Sequence, residues 1–196
     1  CDIKPENVLL VPGSTSLIKI IDFGSGCFSG HQKYEYIQSR FYRAPEVMLG
    51  IEYGPPMDIW STALVIIELL IGKPLFPGDD ELDELHMISE LLGKPPIELV
   101  KKGKRRSEFF DEDTLQLNEN PTGVERIPGS MNLKEILNTN DDNLVDFLMK
   151  CLTWDQRKRI TASKALQHPW VTAKEFNINF SNSRYLPKLL GSNNLF

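Results

Sequence analysis

The feature that most constrains this chain is a short apolar hairpin with reactive side chains at both ends. Val8 to Val11 and Ile18 to Ile21 are two runs of β-favouring residues, separated by Pro12-Gly13-Ser14-Thr15-Ser16. Proline presets φ for a turn and glycine accepts positive φ, so the chain is expected to reverse there and pair the two runs antiparallel. An antiparallel return brings the end of the second run beside the start of the first. Asn7 enters the first run, and Asp22 leaves the second within Asp22-Phe23-Gly24. Asp2 stands five residues before Asn7, in Asp2-Ile3-Lys4-Pro5-Glu6-Asn7. Two oxygen ligands and one further carboxylate are therefore expected at one point. Such a set suits a hard cation such as Mg²⁺, which keeps its other positions for water and phosphate.

In order along the chain, Asp2-Ile3-Lys4-Pro5-Glu6-Asn7, Asp22-Phe23-Gly24 and Ala44-Pro45-Glu46 resemble the catalytic loop, the D-F-G and the A-P-E of protein kinases. Any one of them alone is a common loop fragment; three in sequence around one hairpin are not. The resemblance implies a role for each residue. Asp2 is the base that orients the substrate hydroxyl and accepts its proton, and Lys4 neutralises the γ-phosphate of ATP. Asn7 and Asp22 hold the Mg²⁺ ions that bridge the phosphates, so that Lys4, Asn7 and Asp22 form the ATP-phosphate region.

The stretch Tyr34-Glu35-Tyr36-Ile37-Gln38-Ser39-Arg40-Phe41-Tyr42-Arg43-Ala44-Pro45-Glu46 resembles the activation segment of the dual-specificity tyrosine-regulated (DYRK) kinases. Cys1 agrees with that family, since it stands where most kinases carry an arginine, and Asp22-Phe23-Gly24-Ser25 and His31-Gln32-Lys33 point the same way. The family implies that Tyr36 phosphorylates itself during maturation, while the mature enzyme modifies serine and threonine. A phosphotyrosine adds up to about two negative charges and strong acceptor oxygens, and it orders a loop when arginines face it. Arg40 and Arg43 follow Tyr36 by four and seven residues and are expected to clamp the phosphate. Arg43 would also shape the pocket for the residue after the phosphorylated one, favouring proline. Tyr34 reads as a plain exposed aromatic.

The resemblance implies a fold class that is mainly α with a short β-hairpin, the C-terminal lobe of the protein-kinase fold (α+β) with the N-lobe absent. No Gly-rich loop, β3 lysine or αC glutamate is found, so residues 1–173 are expected to be a partial kinase domain that is inactive in isolation. Residues 174–196, rich in Asn and Ser, are expected to be a loosely ordered tail. The run Ile59 to Ile71 is apolar on nearly every face and is expected to be the buried central helix. Asp58 before it is either a plain helix N-cap or, as in the family, also a partner of the catalytic-loop backbone. Ala63 departs from the family's usual glycine. Asp79 and Asp80 open a further helix that Gly93 and Pro95 stop. A third helix is expected over about Asp141 to Leu152, with Leu144, Phe147, Leu148, Cys151 and Leu152 as its core stripe. A last helix is expected to end at His168-Pro169-Trp170, with His168 in a packing and capping role. By resemblance, Arg159 pairs with Glu46 as a structural ion pair.

Residues 94–140 are irregular in pattern and resemble an insert used by related kinases for partner docking. Their basic run Lys101-Lys102-Gly103-Lys104-Arg105-Arg106 is read as a solvated charged loop, with a nuclear-localisation or docking signal as the alternative. A net charge of −5 argues against a general nucleic-acid binder. Three cysteines without a CxxC pair read as reduced thiols, and no run of eighteen apolar residues occurs, so an intracellular protein with no membrane span is expected. The expected function is ATP- and Mg²⁺-dependent phosphorylation of Ser/Thr in protein substrates. The alternative is a truncated or inactive kinase-like scaffold that works by binding.

Overall fold

The computed structural model describes residues 1–173; the expected tail at 174–196, with the glycosylation-type sequence at Asn179, lies outside the described residues. Strands β1 (Val8–Leu10) and β2 (Ile18–Ile20) pair antiparallel with Val8 opposite Ile20 and Leu10 opposite Ile18. Gly13 supplies the positive φ that the reversal requires. The ladder continues past the strand ends, where the Ile21 amide donates to the Asn7 carbonyl at 2.9 Å. That bond sets Asn7 beside the residue that precedes Asp22.

The rest is helical. Helix α1 (Pro45–Met48) carries the A-P-E residues, and α2 (Pro56–Ile71) runs through the core with Met57, Trp60, Ala63, Leu64 and Ile67 buried. α2 begins earlier than the apolar run suggests, because a proline at the first helical position loses no hydrogen bond. Asp58 thus sits in the first turn rather than at the N-cap, with Oδ1 3.2 Å from the backbone nitrogen of Cys1. Ala63 is fully buried in α2.

Helix α3 (Glu81–Leu92) is capped by Asp80, whose side chain accepts from the Asp83 amide at 2.8 Å, and it ends at Gly93 with positive φ. α4 (Ile97–Val100), α5 (Arg106–Phe109) and α6 (Leu133–Ile136) are single turns within the stretch read as irregular. One turn is too short to show a period in sequence. Leu99, Val100, Phe109, Phe110 and Leu133 nevertheless fix that stretch to the core.

Helix α7 (Asp142–Cys151) is capped by Asp141 and buries Leu144, Phe147, Leu148 and Cys151. Burial pushes the Cys151 thiol up to about 12, so it behaves as a small hydrophobe. The expected last helix is two pieces, α8 (Ala162–Ala165) and α9 (Pro169–Thr172). Pro169 cannot continue a helix but starts one well. His168 caps α9 by accepting from the Trp170 amide on Nδ1, which leaves Nε2 to donate to Asp146 at 2.9 Å.

One continuous cluster of buried apolar residues runs from Ile37 to Trp154. Among the described residues the content is a two-stranded sheet and nine α-helices on that core. This content, one two-stranded sheet and nine helices among the described residues, stands in place of the expected fold class, a C-terminal lobe with its N-lobe absent. No described helix is long and apolar enough to cross a membrane.

Candidate active site

Asp2, Lys4 and Asn7 lie on the loop and 3₁₀ turn (Pro5–Asn7) that lead into β1. The Asp2 carboxylate is fully engaged. Oδ1 accepts from the Ser39 amide at 3.0 Å and the Ser39 hydroxyl at 2.8 Å, and Oδ2 lies 2.8 Å from Lys4 Nζ. Lys4 Nζ also donates to Ser39 Oγ at 3.1 Å, closing a three-membered ring of side chains. Burial raises the Asp2 pKa, but the bonds from Lys4 and Ser39 and the charge on Lys4 outweigh it and hold the carboxyl below its ordinary value. The bond to Asp2 raises Lys4 despite some desolvation, so both partners stay charged at neutral pH.

Asn7 is buried and donates from Nδ2 to the Asp2 carbonyl at 2.9 Å, which turns its Oδ1 away from that loop. Asp22 sits at φ 58°, a left-handed conformation that aspartate tolerates better than most residues, and Oδ1 accepts from the Gly24 amide at 3.2 Å. The Asn7–Ile21 backbone bond brings the two side chains to one end of the hairpin. Among the described residues no cluster of three or more His, Cys, Asp or Glu forms. The amide and carboxylate oxygens thus offer a cation two protein ligands, which suits an ion that takes the rest from phosphate and water.

Ser39 carries no signal of its own in the sequence, although it lies within the segment that resembles an activation segment. It is the residue that ties that segment to Asp2 and Lys4 across 37 and 35 positions. Gln38 before it has φ 73°, is buried, and is anchored by its amide. Oε1 accepts from the Ala44 amide at 2.8 Å, while Nε2 donates to Ser61 Oγ at 2.8 Å on α2. Nothing in the sequence marks glutamine for positive φ, so only the structure reveals it.

Arg43 is buried and serves several acceptors at once. Nε donates to the Ile37 carbonyl at 3.0 Å, Nη2 to the Gln38 carbonyl at 2.7 Å, and Nη1 to the Tyr36 hydroxyl and to Glu81 at 3.1 Å. Its guanidinium lies 4.0 Å from the centre of the Tyr36 ring. Arg40 is elsewhere: its Nη1 donates to the Asp79 carbonyl at 2.7 Å and its guanidinium stacks on Phe41. The second cation near Tyr36 is Arg105, 5.3 Å from the ring centre. Tyr34 is exposed, and its carbonyl accepts from the Tyr53 hydroxyl at 2.6 Å.

Glu84 is fully buried nearby, and neither carboxyl oxygen has a hydrogen-bond partner among the described residues. Burial pushes its carboxyl up to about 9 against the opposing charge of Arg43, so it is neutral at pH 7. Cys1 and Cys27 place their sulfurs 3.8 Å apart as free thiols. Glu46 and Arg159 form a bidentate pair at 2.7 and 2.9 Å with both side chains fully buried. Arg159 also donates to the carbonyls of Pro56 and Thr153 and lies over the Trp60 ring.

The Asp2 carboxylate with its paired lysine, the Asn7 and Asp22 side chains at the hairpin end and the ordered segment across from them form one site. The protein kinase domain family matches residues 1–171, and the chain belongs to that family. The same match corrects the expectation of a C-terminal lobe without its N-lobe, since it runs over nearly the whole chain. Several relatives within the family are dual specificity tyrosine-phosphorylation-regulated kinases. The chain is 46% identical over 172 residues to dual specificity tyrosine-phosphorylation-regulated kinase 2 of Drosophila melanogaster, covering 87% of this chain and 24% of that protein. It is 44% identical to serine/threonine-protein kinase ppk5 of Schizosaccharomyces pombe, covering 89% of this chain and 21% of that protein. It is also 44% identical to dual specificity tyrosine-phosphorylation-regulated kinase 4 of Homo sapiens, covering 87% and 33%. The chain thus spans between a fifth and a third of the length of these relatives.

Proposed function

We propose that the protein carrying this chain transfers the γ-phosphoryl group of ATP to serine and threonine hydroxyls of protein substrates, and to its own Tyr36. The observation that carries the reading is the Asp2–Lys4–Ser39 ring standing beside Asn7 and Asp22 at the hairpin end. Asp2, held ionised by Lys4 and Ser39, orients the incoming hydroxyl and takes its proton as the substrate oxygen bonds to phosphorus and the ADP oxygen leaves. Lys4 shares its charge with the transferred group. Asn7 and Asp22 are the residues that would hold Mg²⁺, which supplies charge neutralisation across the phosphates when bound.

Arg43 and Gln38 support a preference for proline after the target residue. The left-handed backbone at Gln38 and the two bonds from Arg43 consume the carbonyls of Ile37 and Gln38. An incoming peptide N–H must share an acceptor that Arg43 already uses, whereas proline has no N–H to satisfy.

The test is transfer of labelled phosphate from Mg·ATP by the full-length protein. The Asp2→Asn variant is expected to lose about 10³-fold or more in turnover, within the range general-base and positioning roles supply, and Asp22→Asn is expected to lose nucleotide-dependent activity as well. Equal turnover in wild type, Asp2→Asn and Asp22→Asn sinks the proposal.

A further inference from the structure

Tyr36 is 53% exposed and is flanked by two guanidinium groups that come from different parts of the chain. One is Arg43 of its own segment. The other is Arg105, the residue before α5 in the basic run of the insert. Arg105 is not a solvated loop residue. Its backbone amide donates to the Leu49 carbonyl at 3.1 Å, and Nη1 donates to the Met48 carbonyl at 3.1 Å. Nη2 pairs with Glu81 at 2.8 Å and Glu108 at 2.7 Å. Glu81 is shared, because Arg43 also reaches it at 3.1 Å. By contrast Lys101, Lys102, Lys104 and Arg106 of the same run are exposed.

We propose that Arg105 is a phosphate-binding residue that, with Arg43, receives phosphorylated Tyr36 and so fastens the insert to the activation segment. The inference rests on the reading of Tyr36 as a phosphorylated residue. The charge count favours it. Arg43 and Arg105 are balanced in this structure by two carboxylates, Glu81 and Glu108, of which Glu108 is exposed. A phosphate brings up to about two negative charges with three acceptor oxygens, and Arg presents a fork that fits it. It competes best for the fork that Arg105 Nε and Nη2 make with Glu108, since that carboxylate is half exposed and water can take over its oxygens when it is released. Arg40 is not part of this cradle, since its Nη1 is committed to the Asp79 carbonyl. The consequence reaches the insert. Arg105 stands at the N-cap of α5 and hydrogen-bonds α1 through Met48, so a phosphate held by Arg105 ties residues 101–110 to the end of the activation segment.

The experiment installs phosphotyrosine at position 36 during translation, which makes the cradle independent of autophosphorylation. The phosphorylated protein is then treated with a tyrosine phosphatase, in wild type and in Arg105→Gln, Arg105→Lys, Arg40→Gln and Arg106→Gln forms. Arg105→Gln is expected to speed dephosphorylation about tenfold, the factor set by losing one charge-assisted bond of about 1.4 kcal/mol. Arg105→Lys should fall between, and Arg106→Gln and Arg40→Gln should match wild type. Phosphate at position 36 should also slow amide exchange across residues 101–110 in wild type but not in Arg105→Gln. The slowing compares two forms of the same variant, so a general loss of stability does not imitate it. Dephosphorylation of Arg105→Gln at the Arg106→Gln rate, or protection lost in Arg40→Gln but kept in Arg105→Gln, overturns the proposal. Autophosphorylation is read separately, by the intact mass of protein made without the installed group. Its absence would remove the self-modification reading and leave the cradle result standing.

Discussion

Two regions of this molecule use carboxylate–cation pairs in opposite ways. At the hairpin end, Asp2 and Lys4 pair at 2.8 Å with both side chains partly open to water, and the strands beside them expose Leu10, Ile18 and Ile20. Under α2, Glu46 and Arg159 pair at 2.7 Å with no exposure at all, and carbonyl groups and the Trp60 ring satisfy what remains of the arginine. In the first region solvent can reach the charges, so the pair tunes a carboxylate. In the second nothing can replace a lost partner, so the pair fixes the fold. The shortest contact is nearly the same length in both, 2.8 and 2.7 Å; burial decides what it does.

The sharpest way to break the comparison is Glu46→Gln, which strands the Arg159 charge. A loss of about 3–5 kcal/mol in unfolding free energy is expected by chemical denaturation, and a loss within 1 kcal/mol would show that the buried pair is not structural. Next in size is Glu84→Gln. The folded carboxyl titrates near 9 against an ordinary value of 4.5, so its contribution to stability is intact below 4.5 and is lost as pH rises toward 9. Replacing it with a neutral amide should stabilise the protein at pH 7.5, on the order of 3 kcal/mol, and flatten the decline of stability between pH 5 and 9. An unchanged pH profile would mean the carboxyl is hydrated or paired. Ser39→Ala is smaller in stability, about 1 kcal/mol by thermal melting, because one hydroxyl bond is removed at a half-open site. It should nevertheless lower turnover more than it raises KM, and a pure KM effect would deny Ser39 a part in setting Asp2. The smallest effect is expected from Ile18→Thr on the exposed strand, within about 0.5 kcal/mol.

Much of the scaffold was legible in the sequence because it is local. The turn at Gly13, the caps Asp80 and Asp141, and the α7 stripe each follow from short-range chemistry. The start of α2 at Pro56 and the break at Pro169 differ from the sequence expectation because proline begins helices as readily as it ends them. The site divides in the same manner. Asp2, Asn7 and Asp22 are joined by one hairpin and could be brought together from spacing alone. Ser39, Gln38 and Arg105 could not, since their partners lie far along the chain and no composition signal marks a hydroxyl, a left-handed glutamine or one arginine among five basic residues. Glu84 carries no signal of its own in the sequence, and only packing shows that it is buried.

Arg43 holds the carbonyls of Ile37 and Gln38 with two of its nitrogens and the Tyr36 hydroxyl with the third. Its guanidinium is rigid and planar, so it cannot retilt to follow one set of partners without leaving the other. The Tyr36 contact and the two carbonyl contacts are therefore coupled: a change that moves this one side chain at either end is felt at the other.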